Sequence, residues 1–380
     1  MVSLVLAFRF SDDIGAGVVR KNIIPVTNQH LMRESVCGHL NCSMSYMDIE
    51  IGIEGRWRVF VTRELPQKAL DYLGERCDLE VNPENRALTK EEIIDGIRGK
   101  DGLLCHITDK IDEEVINSAT DLKMIANCAV GFDNVDVEAA TRRDLPVSNT
   151  PGVLTDTTAE LAWALLLSTA RRVAEGDRFT RAGKYRGWDP MLLHGLDLKG
   201  KTLGVLGAGR IGTAFALKSR GFDMKVIYTE RRANEVLDRE LGAEKLEMDE
   251  LLERADFISI HLPLTPETHH IIGERELKLM RRNAILVNTS RGPIIDEKAL
   301  AKALKKGWIG GAGLDVYENE PEVEPGLLKL DNVVLLPHLG SATEETRTKM
   351  AMMAAENLIA GLEGKIPPNC VNPELFGRER

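Results

Sequence analysis

Lys201-Thr202-Leu203-Gly204-Val205-Leu206-Gly207-Ala208-Gly209-Arg210-Ile211-Gly212 is a β-rich run that leads straight into three glycines and then into a helical stretch. Strand, glycine turn and helix in that order are the context that a G-x-G-x-x-G dinucleotide fingerprint requires. The three glycines act differently. Gly207 permits the tight turn, Gly209 lets a pyrophosphate approach the backbone, and Gly212 lets helix and strand pack closely. Free N–H groups at the helix start, near Arg210 and Ile211, can then bind the anion. Beyond this turn, strands are expected at Lys225 to Tyr228, Asp256 to Ile260, Ala284 to Asn288, Gly311 to Val316 and Val333 to Leu336. Helical stretches separate them, which is the pattern of a parallel sheet covered by helices.

Upstream, the same rhythm begins at Trp57. Short β-rich runs at Val59 to Val61, Leu79 to Val81, Gly102 to Cys105, Met124 to Ala126 and near Val147 alternate with helical runs at Gln67 to Gly74, Lys90 to Arg98 and Asp112 to Ser118. A long helix follows, with a capping box expected at Thr157-x-x-Glu160 and Leu161, Leu165, Leu166 and Ala170 at helical spacing. It reads as the crossing into the second unit. A final helix from about Thr343 to Leu362 should be followed by a return of the chain to the first domain. The expected fold is α/β, with two doubly wound parallel-sheet domains: a Rossmann nucleotide-binding domain over 154–341 and a smaller flavodoxin-like substrate domain over 56–153 and 342–373. A chain of 380 residues accommodates both. Residues 1–55 lack a sustained period and read as an extension of uncertain structure.

Lys plus Arg number 49 against 59 Asp plus Glu, a balance that repels phosphate backbones and anionic lipid and argues against nucleic-acid or membrane partners. The apolar start, Met1 to Phe8, has no basic segment before it, and the run Leu161 to Leu167 is too short to span a bilayer. Six cysteines without paired spacing read as reduced thiols, so a cytoplasmic location is expected. His30, Cys37, His39 and Cys42 match no common zinc spacing and read as unrelated residues. No metal site is expected.

At the end of the strand after the glycine turn, NAD sites usually place an acid against the ribose 2′-OH. This chain has Thr229 there, followed by Glu230, Arg231 and Arg232. Two guanidinium groups stand where a 2′-phosphate would lie, so NADP is modestly favoured over NAD. Two other readings stay open: Glu230 takes the ribose, and the arginines are a solvated helix start.

The remaining polar candidates follow the carboxyl ends of expected strands: His261, Thr289-Ser290-Arg291, the stretch Asp315 to Glu320, and His338. In an open parallel sheet those ends share one edge, where ligands bind. Arg291 offers a planar fork that can clamp a substrate carboxylate and polarise the neighbouring carbonyl. His338 can donate a proton to the carbonyl oxygen as hydride arrives. Glu320, meeting the imidazole, would favour its charged form and hold its tautomer. Each alone reads as a structural ion pair, a loop acid or a capping residue; together beside a dinucleotide turn they suit hydride chemistry on an anionic carbonyl compound. His269-His270 reads as loop, and Cys105 of Cys105-His106 as a buried core thiol.

These residues resemble the D-isomer-specific 2-hydroxyacid dehydrogenases, and within them the glyoxylate/hydroxypyruvate reductase branch. The resemblance covers about residues 56–373. It is carried by Asn127-Cys128-Ala129-Val130-Gly131-Phe132-Asp133-Asn134-Val135-Asp136, the glycine turn, Asn288-Thr289-Ser290-Arg291-Gly292, Gly313-Leu314-Asp315-Val316-Tyr317-Glu318-Asn319-Glu320-Pro321 and Pro337-His338-Leu339-Gly340-Ser341. It implies an NAD(P)-dependent oxidoreductase acting on CH–OH donors, with Arg291 as substrate-binding arginine, Glu320 as dyad acid and His338 as proton donor. It further implies that Val130 and Gly131 offer backbone amides to the substrate carboxylate, and that Thr158, Thr289 and Asp315 touch the nicotinamide half of the cofactor; Ser290, Arg291, His338 and Gly340 are further expected cofactor contacts. Glyoxylate, then hydroxypyruvate, are the expected substrates, and a homodimer joined through the nucleotide domain is expected. Alternatives are 3-phosphoglycerate dehydrogenase or another D-2-hydroxyacid dehydrogenase and, from a different class, a dinucleotide-sensing corepressor-like protein. Formate dehydrogenases of the superfamily pair the histidine with Gln, against the Glu320 found here. Residues 1–55 and Thr229 depart from the family pattern.

Overall fold

The computed structural model describes residues 55–377, so the extension with His30, Cys37, His39 and Cys42 lies outside the described residues. Two parallel sheets organise the rest. The first holds β1 (Trp57–Val61), β2 (Cys77–Val81), β3 (Gly102–Cys105), β4 (Met124–Asn127) and β5 (Val147–Ser148), in the order β2-β1-β3-β4-β5. Its crossovers are α1 (Gln67–Gly74), α2 (Lys90–Ile97), α3 (Glu113–Ser118) and α4 (Val137–Arg142). Alternation along the strands fills two cores, because successive side chains point to opposite faces. Val59, Val61 and Leu104 pack with Ala69 and Leu73 of α1, whereas Phe60, Leu103 and Ile125 pack with Ile93, Val115 and Ala139 from α2 to α4.

Two helices, α5 (Thr155–Ala170) and α6 (Val173–Arg181), precede the second sheet. That sheet contains β6 (Thr202–Leu206), β7 (Lys225–Thr229), β8 (Glu244–Lys245), β9 (Phe257–Ile260), β10 (Ile285–Asn288), β11 (Gly311–Leu314) and β12 (Val333–Leu335), ordered β12-β11-β10-β9-β6-β7-β8. Between its strands run α7 (Arg210–Lys218), α8 (Glu235–Leu241), α9 (Met248–Arg254), α10 (Glu274–Leu279) and α11 (Glu297–Lys306). One face packs on α5, α7 and α8 through Leu165, Phe215 and Leu237; the other packs on α9, α10 and α11 through Leu251, Leu277 and Leu300. The expected doubly wound α/β fold is the observed one. Among the described residues no helix is long and apolar enough to cross a membrane.

After the second sheet, α12 (Glu344–Leu362) packs against α1, β3 and β4. The tail stays with the first sheet: Asn372 accepts a hydrogen bond from Val147 N at 2.9 Å and donates to Leu145 O at 3.0 Å.

Two local expectations need correction. The capping box at Thr157 does not form, since α5 starts earlier, at Thr155, after a turn in which Thr155 N–H reaches Gly152 O. Thr157 Oγ1 lies instead 2.7 Å from Thr346 Oγ1, linking α5 to α12. The strand expected to reach Val316 ends at Leu314, because the chain turns at Tyr317 to receive Glu320. Helix α6, absent from the expected helices, fully buries none of its side chains.

Candidate active site

The strand order reverses between β6 and β9, and the glycine turn leaves β6 at that point. Gly207 has φ +91°, and a Cβ there would lie 2.8 Å from His261 O. Gly212 is tighter: its Cβ would meet Gly207 O at 2.0 Å, so only glycine lets α7 start against this turn. Gly209 caps α7 without a side-chain partner, leaving the first N–H groups, at Arg210 and Ile211, available to an anion. His261, a sequence candidate, lies under the glycine turn. It is half-buried beside Phe215, its Nε2 is 2.9 Å from Ser259 Oγ, and desolvation drives its imidazole down to about 3.

At the adenosine end, Thr229 closes β7 opposite Leu206. Glu230 is turned on its own backbone, accepting from Arg231 N at 2.9 Å. The side chains of Arg231 and Arg232 are exposed and make no ion pair among the described residues.

At the other end, Asp315 is buried. Its Oδ1 accepts from Leu339 N at 2.7 Å and its carbonyl accepts from His338 N at 2.9 Å. Burial raises its carboxyl above the usual range, although the Leu339 N–H and the charge of His338 work against this. Asp315 Oδ2 and Thr289 Oγ1 are sealed from solvent without a partner. Buried polar atoms left unmade cost about 1–3 kcal/mol each, so a ligand that supplies a donor and an acceptor here is favoured. The amide of a nicotinamide has both. Thr158 Oγ1 donates to Gly340 O at 3.1 Å and frames the same spot. The residues present therefore fit a nicotinamide dinucleotide along this edge.

His338 stands at φ +56°, a costly conformation for a non-glycine residue, and its Nδ1 lies 2.9 Å from Glu320 Oε2. Glu320 Oε1 accepts from Tyr317 N at 3.1 Å, while Tyr317 Oη donates to Leu336 O at 2.7 Å, so one tyrosine braces both halves of the pair. Burial pushes the Glu320 carboxyl up, but the hydrogen bond and charge of His338, with help from Arg291, leave it below the usual range. Behind it, buried Glu297 accepts from Glu318 N at 2.6 Å and Glu324 N at 3.2 Å, pinning both ends of the Glu320 loop. His270 Nε2 lies 3.0 Å from Glu318 Oε1, and its backbone N–H donates to Pro293 O, so the His269-His270 loop is a brace. Among the described residues no group of three His, Cys, Asp or Glu side chains is arranged to hold a metal.

Arg291 follows β10, where Asn288 Nδ2 donates to its carbonyl at 2.8 Å. Its guanidinium reaches the first sheet and pairs with Asp133, Nε to Oδ1 at 3.0 Å and Nη2 to Oδ1 at 3.0 Å. Gly131 lies directly against it: a Cβ there would sit 1.7 Å from Nη2, so any larger residue would push the guanidinium aside. The carbonyls of Val130 and Gly131 are occupied by Asn149 Nδ2 at 2.7 Å and Asn127 Nδ2 at 2.9 Å. Their N–H groups have no partner among the described residues. Asp133, Tyr317 and Glu297 are the residues that sequence reasoning missed, and Asp133 stands inside the stretch Asn127 to Asp136. The contacts of Ser290 are local: its N–H and Oγ reach Asn288 Oδ1 at 3.0 and 3.1 Å. A cavity of about 320 Å³ near His194, Asn283 and Asn332 opens at the opposite, strand-start edge and is remote from these groups.

Residues 163–340 match the family model described as the D-isomer specific 2-hydroxyacid dehydrogenase NAD binding domain. A glyoxylate reductase of Thermococcus litoralis is 50% identical over 323 residues, covering 84% of this chain and 98% of the relative. A glyoxylate reductase of Korarchaeum cryptofilum is 52% identical over 320 residues, covering 84% and 96%. The chain belongs to the D-isomer specific 2-hydroxyacid dehydrogenase family. It is structurally similar to an NADPH-dependent glyoxylate/hydroxypyruvate reductase of Sinorhizobium meliloti, solved with NADP and malonate. That structure has TM-score 0.75 and 33% identity, and the match covers 86% of this chain and 99% of that one. A Thermus thermophilus protein of known structure is 48% identical with TM-score 0.78, covering 83% and 99%. As a 2-hydroxyacid dehydrogenase, the chain is an oxidoreductase acting on CH–OH donors with a nicotinamide dinucleotide.

Proposed function

We propose that the protein reduces a small 2-oxo acid, glyoxylate first and hydroxypyruvate second, to the 2-hydroxy acid with NAD(P)H. The observation that carries this reading is the His338–Glu320 pair at 2.9 Å, on the same edge as Arg291 and the open amides of Val130 and Gly131. When bound, the reduced nicotinamide supplies the hydride. Arg291 and the two amides hold the substrate carboxylate. His338 gives the carbonyl oxygen a proton from Nε2, its Nδ1 being engaged with Glu320, and Glu320 stabilises the imidazolium before that transfer. Hydride and proton add across the C=O bond and leave a hydroxyl. Residues 56–153 with 342–373 form the substrate domain in this reading, and 154–341 the nucleotide domain.

NADPH is the proposed preference, supported by the unpaired Arg231 and Arg232 beside Thr229. Assaying four 2-oxo acids against NADH and NADPH tests substrate and cofactor together, and no turnover of any of them would sink the assignment. Replacing Arg231 and Arg232 together by alanine should raise the KM for NADPH at least ~10-fold and change that for NADH little, as expected for lost charge-assisted contacts to a 2′-phosphate. Equal effects on both cofactors would return the arginines to a solvated helix start.

A homodimer is proposed as well. Trp188, Met191 and Val173 are 85%, 75% and 57% exposed on α6 and the segment after it, an apolar surface that a second copy would cover. Light scattering at micromolar concentration should give twice the chain mass; a monomer would refute it.

A further inference from the structure

The first sheet has its own point of order reversal, between β1 and β3, and ligands bind in the crevice at such points. Thr62 follows β1 there and His106 follows β3. Thr62 Oγ1 lies 2.5 Å from Asp109 Oδ2 and 3.1 Å from His106 Nδ1. A threonine hydroxyl has one proton to give. The same Asp109 oxygen also accepts from His106 N at 2.8 Å, so it acts as a carboxylate acceptor and takes the Thr62 proton. Thr62 Oγ1 must then accept from His106, which puts the imidazole proton on Nδ1. Burial holds His106 down to about 4; Asp109 opposes this, and the Arg63 and Arg347 cations reinforce it, so the ring is neutral at pH 7.

Neutral and protonated on Nδ1, the ring keeps a bare lone pair on Nε2. That atom has no partner among the described residues. The backbone of His106 is also tied to the substrate loop: Asn134 Nδ2 donates to His106 O at 3.0 Å, and Asn127 Nδ2 bridges Asn134 Oδ1 at 3.1 Å and Gly131 O at 2.9 Å.

We propose that His106 Nε2 accepts a hydrogen bond from a hydroxyl on the carbon beyond the substrate's carbonyl, so that the site selects a 3-hydroxy-2-oxo acid over an equally sized acid lacking that hydroxyl. This rests on the reduction proposed above and assigns the specificity-determining residue within it. A site built to bond a substrate hydroxyl discriminates strongly against its deoxy analogue, because the buried group is left unpaired.

The test compares kcat/KM for hydroxypyruvate, pyruvate and glyoxylate in the full-length protein and in His106→Leu and His106→Gln. The leucine variant should lower the hydroxypyruvate-to-pyruvate ratio by ~10- to 100-fold, the range of one such bond. The glutamine variant, whose Oε1 can accept, should recover part of the ratio. An equal loss on all three acids, or an unchanged ratio, would overturn the role. Independently of activity, ¹⁵N imidazole shifts at pH 7 should show Nδ1 protonated and Nε2 bare for the signal lost in His106→Gln; an Nε2-protonated or doubly protonated ring would overturn it. If the unaltered protein reduces none of the three acids while the ¹⁵N spectrum shows the Nδ1 tautomer, it is the proposed reduction that fails, and the selection falls with it.

Discussion

His338→Ala should lower kcat by ~10²- to 10⁴-fold, the usual contribution of a positioned general acid. Glu320 is not placed to take over. Glu320 reaches the imidazole at Oε2 and gives its other oxygen to Tyr317 N, so it is held for His338 and is not aimed at a carbonyl. Cofactor binding should survive, since the glycine turn and the sealed atoms of Asp315 and Thr289 do not depend on the ring. Stopped-flow measurement of hydride transfer with saturating cofactor separates the two. Hydride transfer at the unaltered rate would remove His338 from the mechanism. Glu320→Gln should act in the same direction but less, because the amide can still orient the ring while giving up the negative charge that stabilises it.

Arg291→Ala should cut kcat/KM by ~30- to several-thousand-fold, corresponding to the 2–5 kcal/mol typical of truncating one partner of a hydrogen-bonded charge pair. Most of this should fall on KM, because the fork holds the carboxylate in the ground state as well as the transition state. The loss is compounded here. Without the guanidinium, Asp133 remains as a lone carboxylate facing the place where the substrate's own carboxylate must sit. Arg291→Lys should restore the charge without the planar two-point geometry and recover only part of the loss. Steady-state kinetics with glyoxylate checks both; unchanged KM and kcat in Arg291→Ala would exclude the clamp.

Much of this arrangement is legible from residues alone, and the reasons are local. The glycine turn is readable because strand, turn and helix are contiguous, and β11, β12 and the loops after them are readable because each strand ends in a polar group. What escapes is set by distance. Asp133 and Arg291 are 158 positions apart, and nothing in either neighbourhood announces the other. His261 looks like its counterparts at other strand ends, yet it turns under the glycine loop against Phe215. Thr157-x-x-Glu160 has capping-box spacing inside a helix already begun by the turn at Gly152. His106 is silent beside Cys105 in the sequence, since the meaning of its ring depends on a threonine and an aspartate that only the order of the first sheet brings beside it.

The ion pair between Arg291 and Asp133 means that this guanidinium is already neutralised at rest. On the proposed role of Arg291, an arriving 2-oxo acid would not fall into an empty positive well; it would displace an incumbent, trading one carboxylate for another on the same guanidinium. Chloride or phosphate, lacking the carbonyl that His338 and the backbone amides reward, has little to offer in that exchange, so the enzyme should tolerate physiological salt while still admitting its proper acid.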